Sequence, residues 1–185
     1  MDKRQLILRE AQNLFAEKGY YGLGLSELLT RCNIPKGSFY YYFPGGKIQL
    51  IEEALENSYQ RMRGWIDTWK MNEPTAHQAF LHMVDHLIEG ICQKRRLGTL
   101  MLSMIAIESV YLDDRVNCTC KRIYCDWQQY YTEWLEEYGY SPEHSRRLAQ
   151  AVFALIHGSL ISSWIKQDPQ DLYLTRETLG EIFAN

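Results

Sequence analysis

The sequence has little proline, which leaves long segments free to form helices, and it lacks segments that alternate between apolar and polar residues, which argues against β-strands. Only 5 of its 185 residues are proline, and they fall between segments whose apolar residues recur every three or four positions. That spacing places apolar side chains on one face of an α-helix. The sequence therefore predicts an all-α protein of about nine helices. Apolar residues make up 46 % of it, enough to bury a substantial core.

Long uninterrupted apolar runs are also missing, so no segment is expected to cross a bilayer. The first residues, MDKRQLILREAQ, form an amphipathic pattern without the apolar region of a signal peptide. We therefore expect a cytoplasmic protein with no membrane partner. In a reducing compartment its cysteines are expected to be free thiols. They are Cys32, Cys92, Cys118, Cys120 and Cys125.

Catalytic and metal-binding motifs are absent as well. The sequence contains no phosphate-binding loop, no HExxH motif and no spacing that pairs a nucleophile with a base. His82 and His86 lie four residues apart, which suits a metal, but they supply only two ligands. We therefore expect no metal, no cofactor and no enzymatic activity. An all-α enzyme that uses His82, His86 or Glu108 is the alternative from a different functional class.

Charge is distributed unevenly along the chain, although the net charge is only −3. Residues 1–50 contain seven basic and four acidic side chains, whereas the rest of the chain has a net charge of −6. A basic segment attached to an acidic body is typical of a small anion-binding domain on a body that does not bind the anion.

Residues 1–46 contain three short segments with helical periodicity. The first ends at Gly19, the second runs to Cys32 and the third covers residues 36–43. The turn between the second and third segments is Asn33-Ile34-Pro35. Asparagine tolerates the left-handed backbone conformation that such turns need, and proline favours the start of a helix. The pattern predicts a helix-turn-helix, in which the last helix enters the major groove of DNA.

The third segment, KGSFYYYF, separates inward-facing from outward-facing side chains. Phe39 and Phe43 are four residues apart and are expected to face the core together. The remaining positions then face outward, where amino and hydroxyl groups can bind phosphates and base edges. These positions are Lys36, Gly37, Ser38, Tyr40, Tyr41 and Tyr42.

The segment FAEKGYYGLGLSELLTRCNIPKGSFYYYFPGGKIQLIEEAL resembles the N-terminal signature of the tetracycline-repressor (TetR) family of bacterial transcriptional regulators. Its Pro-Gly-Gly-Lys version is similar to a sub-branch close to multidrug-responsive and reactive-compound-responsive repressors. The resemblance implies a helix-turn-helix DNA-binding domain at residues 1–46 and a six-helix ligand-binding and dimerisation domain at residues 47–185. It further implies a homodimeric repressor that binds palindromic operator DNA and is released by a small-molecule inducer.

The resemblance adds two residues to the predicted DNA contacts, Ser26 and Lys47. Lys47 begins the fourth helix, where free backbone amides and the positive helix end also favour a phosphate. Two positions depart from the family pattern. Gly24 stands where the family often has a capping Thr or Ser, which removes a side chain that could contact phosphate. Asn33 replaces the usual turn glycine.

Aromatic and methionine side chains are abundant in the predicted body, where the resemblance places a ligand cavity. Such side chains offer large, adaptable contact areas to a flat or apolar molecule. The same residues at helical spacing are also typical of an ordinary core, and for each single residue both interpretations stay open. The predicted pocket residues are Trp65, Trp69, Met83, His86, Met101, Met104, Tyr124, Trp127 and Tyr131.

The predicted eighth helix is apolar on two faces. A helix with one polar side needs a single apolar stripe, so a second stripe indicates packing against a partner as well as against its own body. Together with the ninth helix it is expected to form a four-helix interface across a two-fold axis. The predicted interface residues are Val152, Phe153, Ile156, Leu160, Trp164, Leu179 and Phe183.

Sensing of oxidants or electrophiles through the cysteines is the alternative for the same regulator. Cys118 and Cys120 point about 200° apart on a helix, which makes joint binding of a metal awkward. Lys121 and Arg122 are the nearby groups that would favour a thiolate. Inert thiols are therefore the preferred interpretation.

Overall fold

The computed structural model describes residues 2–93, 98–111 and 113–184, with the side chains at positions 16, 98–101 and 184 outside the description. The described residues form helices and connecting turns, and none of them lies in a strand, which confirms the predicted all-α fold. The helices are α1 (Lys3–Gly22), α2 (Leu25–Cys32), α3 (Lys36–Tyr42), α4 (Gly46–Asn72), α5 (Ala76–Cys92), α6 (Gly98–Ser109), α7 (Asp114–Glu137), α8 (Pro142–Lys166) and α9 (Gln170–Ala184).

Local sequence signals account for several of these helix ends. Ser141 caps α8 by accepting a hydrogen bond from the backbone N–H of His144, and Pro142 occupies the first turn. Thr75 caps α5 in the same way through the N–H of Gln78. Beyond the C-terminal end of α7, Gly139 adopts a φ of +90°, a conformation that glycine adopts without strain.

The chain forms two compact units, and their limits differ from the domain boundary predicted at residue 46. One unit contains residues 1–62 and 96–123, and the other contains residues 63–95 and 124–185. The division therefore falls inside α4 and inside α7. The assignment of DNA binding to residues 1–46 and of ligand binding and dimerisation to residues 47–185 stays a prediction.

In the first unit, α1 packs against α2 and α6, and the core is built from the apolar stripes of the N-terminal helices. Ile7, Leu14 and Phe15 from α1 are fully buried, as is Leu28 from α2. Leu50 supplies the matching apolar side chain from the first half of α4. The amphipathic spacing of these helices thus fixes which face of each helix turns inward.

In the second unit, α5, α8 and α9 pack against one another. α8 is long and apolar enough to cross a bilayer by length and composition, with a mean hydropathy of 1.5 over an 18-residue window. One such helix is weak evidence for a membrane span, because the core helix of a soluble protein passes the same test, so it does not contradict the expectation that no segment crosses a bilayer. Within that window 44 % of the residues are buried in the structure, which is typical of a core helix.

Candidate nucleic-acid interface and ligand site

The turn between α2 and α3 has the tight geometry of a helix-turn-helix. Asn33 adopts the left-handed conformation, with φ 50° and ψ 52°, and ends α2. Its N–H donates to the carbonyl of Thr30 at 3.1 Å, and the N–H of Ile34 donates to the carbonyl of Leu29 at 3.1 Å. Pro35 then precedes the first residue of α3. These bonds satisfy the end of α2 and turn the chain directly into the next helix.

α3 has an apolar inner face and a polar, aromatic outer face. Phe39 and Phe43 are fully buried and their rings stack at a centroid distance of 5.6 Å. On the other side, 79 % of Tyr41 and 44 % of Tyr40 is exposed. A Cβ built at Gly37 would meet nothing within 4 Å, so no group of the described structure occupies the space beside it.

The predicted DNA contacts on α3 are accessible in the structure. Lys36 and Gly37 are exposed, whereas Ser38 and Tyr42 are half-buried. The Lys36 ammonium lies 6.0 Å from the ring centroid of Tyr40, one helical turn away. Ser26 on α2 is also exposed. A lysine beside exposed phenols combines a cation with hydroxyl donors, the groups that bind phosphates and base edges.

Lys47 makes an intramolecular contact instead of pointing freely to solvent. Its side chain is half-buried, and its Nζ donates to the carbonyl of Tyr20 at 2.9 Å while lying 4.2 Å from the Tyr20 ring centroid. Burial lowers the pKa of Lys47, and the nearby charge of Glu108 partly opposes that effect. The predicted phosphate contact of Lys47 therefore competes with a contact that joins α4 to the end of α1.

The end of α1 is bound on its other side by α6. Gly19 breaks the helix with a φ of +66°, and the N–H of Tyr20 donates to Glu108 Oε2 at 2.8 Å. A Cβ at Gly19 would lie 2.7 Å from Glu108 Oε1, so the carboxylate would have to move if another residue stood there. Side chains from α6 and α4 thus hold the N–H and the C=O of Tyr20. We call Tyr20, Lys47 and Glu108 the α1 latch. Sequence analysis had not assigned this role to Glu108.

Ion pairs also attach the first half of α4 to its neighbours. On one side Arg4 of α1 pairs with Glu53. On another side Arg115 of α7 pairs with Glu52 at 2.5 Å. Arg122, two turns further along α7, pairs with Glu56. These ion pairs therefore link α1, the first half of α4 and the first part of α7 within one unit. The helices α1 to α3, which we call the head, belong to the same unit.

The predicted pocket residues fall into two groups in the second unit. Met83, Trp127 and Tyr131 are buried, and the Tyr131 hydroxyl donates to the Met83 sulfur at 3.1 Å. Tyr124 is half-buried. These residues share one contiguous set of side chains with rings that sequence analysis had not assigned to the pocket. We call this set the inner cluster, and its members are Phe80, Met83, Tyr124, Trp127, Tyr131, Trp134, Phe153 and His157.

The other group lies nearer the surface. Trp65 is 46 % exposed and contacts His86, which also contacts Trp69 at a centroid distance of 5.2 Å. His82 stacks on Trp69 at 5.4 Å, and its Nδ1 lies 3.2 Å from a Glu73 oxygen. Of the remaining predicted pocket residues, Met104 belongs to the first unit, and the Met101 side chain lies outside the described residues.

Comparison with known proteins decides the family. The profile of the family described as bacterial regulatory proteins, tetR family, matches residues 7–54. A second profile matches residues 76–178, more than half of the chain. It belongs to the family described as transcriptional regulator LmrA/YxaF-like, C-terminal domain. The chain belongs to the TetR family. It is therefore a DNA-binding transcriptional regulator, not an enzyme.

Individual TetR-family relatives cover most of the chain. The HTH-type transcriptional regulator LmrA of Bacillus subtilis is 33 % identical over 165 residues, which are 88 % of this chain and 86 % of the relative. The HTH-type transcriptional repressor NemR of Escherichia coli is 48 % identical, but over 64 residues, or 33 % of this chain and 32 % of that protein. The Pro-Gly-Gly-Lys sub-branch stays a prediction.

Solved TetR-family structures share the fold. A regulator from Legionella pneumophila superposes with a TM-score of 0.86 at 20 % identity, covering 98 % of this chain and 97 % of that chain. Reduced Escherichia coli NemR superposes with a TM-score of 0.85 at 21 % identity, covering 97 % and 95 %. At these identities the likeness concerns the fold alone.

The predicted dimer residues of this TetR-family chain lie mainly inside its own core. Five of the seven are buried in the protomer, and two, Trp164 and Phe183, are half-buried. The buried ones are Val152, Phe153, Ile156, Leu160 and Leu179. A buried side chain has little surface left for a partner, so these five cannot provide the main contact area.

A different stripe of α8 is accessible. Ala151, Ala154 and Gly158 are exposed along one side of the helix, followed by Ile165, which is 75 % exposed. These positions repeat at the spacing of one helix face. Leu174 of α9 is 59 % exposed. We call this stripe the exposed α8 face (residues 151, 154, 158 and 165), and the position of the dimer interface stays a prediction.

Proposed function

We propose that this protein is a homodimeric repressor that binds a palindromic operator through α3 and is released by a small hydrophobic or aromatic ligand, in the cytoplasm. The observation that carries the proposal is the outer face of α3, where Lys36 and exposed tyrosines stand on a helix braced by Phe39 and Phe43. A short braced helix with outward polar groups suits the major groove.

The residues of the head take different roles in this proposal. Lys36, Ser38 and Tyr40 lie nearest the bases, whereas Tyr41 and Tyr42 contact the DNA backbone. Gly37 lets the start of α3 approach the duplex, because the space beside it is open. Ser26 supplies a backbone contact from α2. Lys47 acts mainly through the α1 latch, since its ammonium already binds the Tyr20 carbonyl.

Operator binding is tested by replacing one lysine of α3. We expect Lys36→Ala to weaken binding to the operator upstream of the protein's own gene by about 5- to 150-fold, because a base contact is worth about 1–3 kcal/mol. Binding to a scrambled duplex should change much less. Electrophoretic shift assays at several salt concentrations measure both, and wild-type affinity should fall steeply with salt as phosphate counterions are released.

Lys121→Ala provides the matched control, since Lys121 is an exposed lysine on α7 and not on the helix-turn-helix. It should leave operator affinity unchanged. Equal losses on operator and scrambled DNA would make Lys36 a backbone ligand. Wild-type binding that is insensitive to salt, or no shift with the promoter fragment at all, would contradict the proposed function.

Ligand release is supported by the arrangement of α6, which belongs to the unit that contains the head. Glu108 of α6 holds the end of α1 through the N–H of Tyr20. A ligand that displaces α6 would therefore loosen the α1 latch and shift the orientation of the head. The ligand needs only to favour the DNA-incompetent state, and about 5.5 kcal/mol of differential affinity reverses a 1:99 balance.

Thiol sensing remains a second candidate because Cys92, Cys118 and Cys125 are exposed. Cys120 is less suited to it, since burial raises the pKa of its thiol and disfavours the reactive thiolate. Alkylation with iodoacetamide, followed by the same operator shift assay, separates the two candidates. Loss of DNA binding in the wild type but not in a Cys118→Ser, Cys125→Ser variant would favour the sensor.

A further inference from the structure

His157 is a buried polar residue in an apolar environment. Only 8 % of it is exposed, and it stacks on Phe153 at a centroid distance of 4.0 Å, with the Tyr124 ring 5.7 Å away. Its Nδ1 is shielded from solvent and has no hydrogen-bond partner among the described residues. Buried polar atoms are nearly always hydrogen-bonded, so this nitrogen calls for a partner from outside the chain.

Two further buried polar groups of the inner cluster are the indole N–H of Trp134 and the hydroxyl of Tyr131. The indole N–H of Trp134 is buried and finds no acceptor within the part of the chain that the structure describes. The Tyr131 hydroxyl donates to the thioether sulfur of Met83 at 3.1 Å, and a thioether is a weak acceptor. The rings of both Tyr131 and His157 pack against the Phe153 ring.

We propose that the inner cluster contains a polar subsite, in which His157 Nδ1 and the Tyr131 hydroxyl bind hydroxyl or carbonyl groups of an uncharged aromatic ligand. The proposal rests on the ligand-released regulator proposed above and names the chemistry of its ligand. The aromatic rings supply the stacking surface, and the two polar side chains supply orientation. A hydroxyl fits His157 in either tautomer, since it both donates and accepts.

The same side chains explain why the proposed ligand is uncharged. None of the eight residues of the inner cluster carries a formal charge at neutral pH, because burial lowers the pKa of His157 to about 4. A carboxylate or ammonium group of a ligand would enter without an ion-pair partner from this cluster, and burying an unpaired charge is strongly unfavourable. The subsite should therefore discriminate against charged analogues of the same ring system.

Three probes with one ring system test the proposal: 2-naphthol, naphthalene and 2-naphthoate. Isothermal titration calorimetry on the full-length protein should show that 2-naphthol binds about tenfold more tightly than naphthalene, with 2-naphthoate weaker than both. In His157→Phe the preference for 2-naphthol should fall to about twofold or less. Tyr131→Phe should reduce it in the same direction. His144→Phe is the matched control, because His144 is an exposed histidine of the same helix and should leave the preference intact.

A spectroscopic measurement on the wild type does not depend on how well the variants fold. The ¹⁵N chemical shift of the His157 imidazole should move when 2-naphthol binds and should move much less with naphthalene. Equal affinities for 2-naphthol and naphthalene, tighter binding of 2-naphthoate, or no binding of 2-naphthol up to its solubility limit would overturn the subsite.

Operator shift assays on the same preparation separate this inference from the proposed function. Wild-type protein that binds its operator but shows no hydroxyl preference would overturn the subsite and leave the DNA-binding proposal standing. Protein with the hydroxyl preference that fails to bind its promoter would support the subsite and contradict the repressor.

Discussion

At the scale of single residues, the backbone N–H and C=O of Tyr20 connect three helices. Its N–H donates to Glu108 of α6 and its C=O accepts from Lys47 of α4, while the residue itself lies in the last turn of α1. This arrangement depends on Gly19, whose φ of +66° turns the N–H outward and whose missing side chain leaves room for the carboxylate. Gly19, which the sequence predicts as the end of the first helix, therefore also leaves space for the contact between α1 and α6.

Replacing that glycine should be costly for two reasons. Gly19→Ala would place a Cβ in a left-handed conformation and 2.7 Å from Glu108 Oε1. We expect a loss of about 1–3 kcal/mol in the free energy of unfolding, measured by urea denaturation. Gly24→Ala is the control, since its φ is −83° and its Cβ would meet nothing within 4 Å. If both variants lost equal stability, the α1 latch would not be the cause.

At the scale of secondary-structure elements, α8 has one apolar side that is buried in the protomer and another that is exposed. One side, which includes Val152, Ile156 and Leu160, is buried inside the protomer. The other is the exposed α8 face, where small residues would let a second helix approach closely. A two-fold axis would bring the same face of two protomers together, as an isologous interface requires.

A charge on the exposed α8 face should break the proposed dimer. We expect Ile165→Glu to convert the protein to monomers in sedimentation velocity, because the carboxylate would be buried without a partner at the interface. Ile107→Glu is the matched control, since Ile107 of α6 is 63 % exposed and lies off this face. A fully dimeric Ile165→Glu protein would place the interface elsewhere, and dissociation of both variants would mean that the effect is not specific.

At the scale of the whole molecule, stability depends on keeping His157 neutral in the interior. Burial lowers its pKa to about 4 in the folded state, whereas an unfolded histidine titrates near 6.5. Between these two pH values the unfolded chain binds a proton that the folded chain does not. The stabilising contribution is therefore complete above pH 6.5 and is lost as the pH falls towards 4.

The variant His157→Phe isolates this effect from the acidic side chains that titrate in the same range. As the pH falls from 6.5 to 4, the free energy of unfolding of the wild type should decrease relative to that of His157→Phe by up to about 3 kcal/mol. Urea denaturation at each pH measures the difference. Parallel pH profiles of the two proteins would mean that His157 has the same pKa in the folded and unfolded states, which would contradict the prediction.

Periodicity and turn chemistry, read from the sequence alone, were enough to predict the helices. Apolar spacing, Asn33, Pro142 and the Ser141 cap are local features, and local backbone preferences act within a few residues. For the same reason the inward pair Phe39 and Phe43 was predicted correctly, because residues four apart share a helix face whatever surrounds them. The family also follows from the sequence, since its signature is a continuous segment.

Only the tertiary structure decided which of two apolar helix faces is buried and which partner each polar group finds. Composition could not tell Phe153, a core residue, from Ile165, an exposed one, because both lie on apolar stripes of α8. The hydrogen bond between Glu108 and Tyr20 joins residues 88 positions apart, and the ring contact between His157 and Tyr124 joins two helices. Such contacts arise when helices pack, and helical periodicity specifies the face of a helix but not its neighbour.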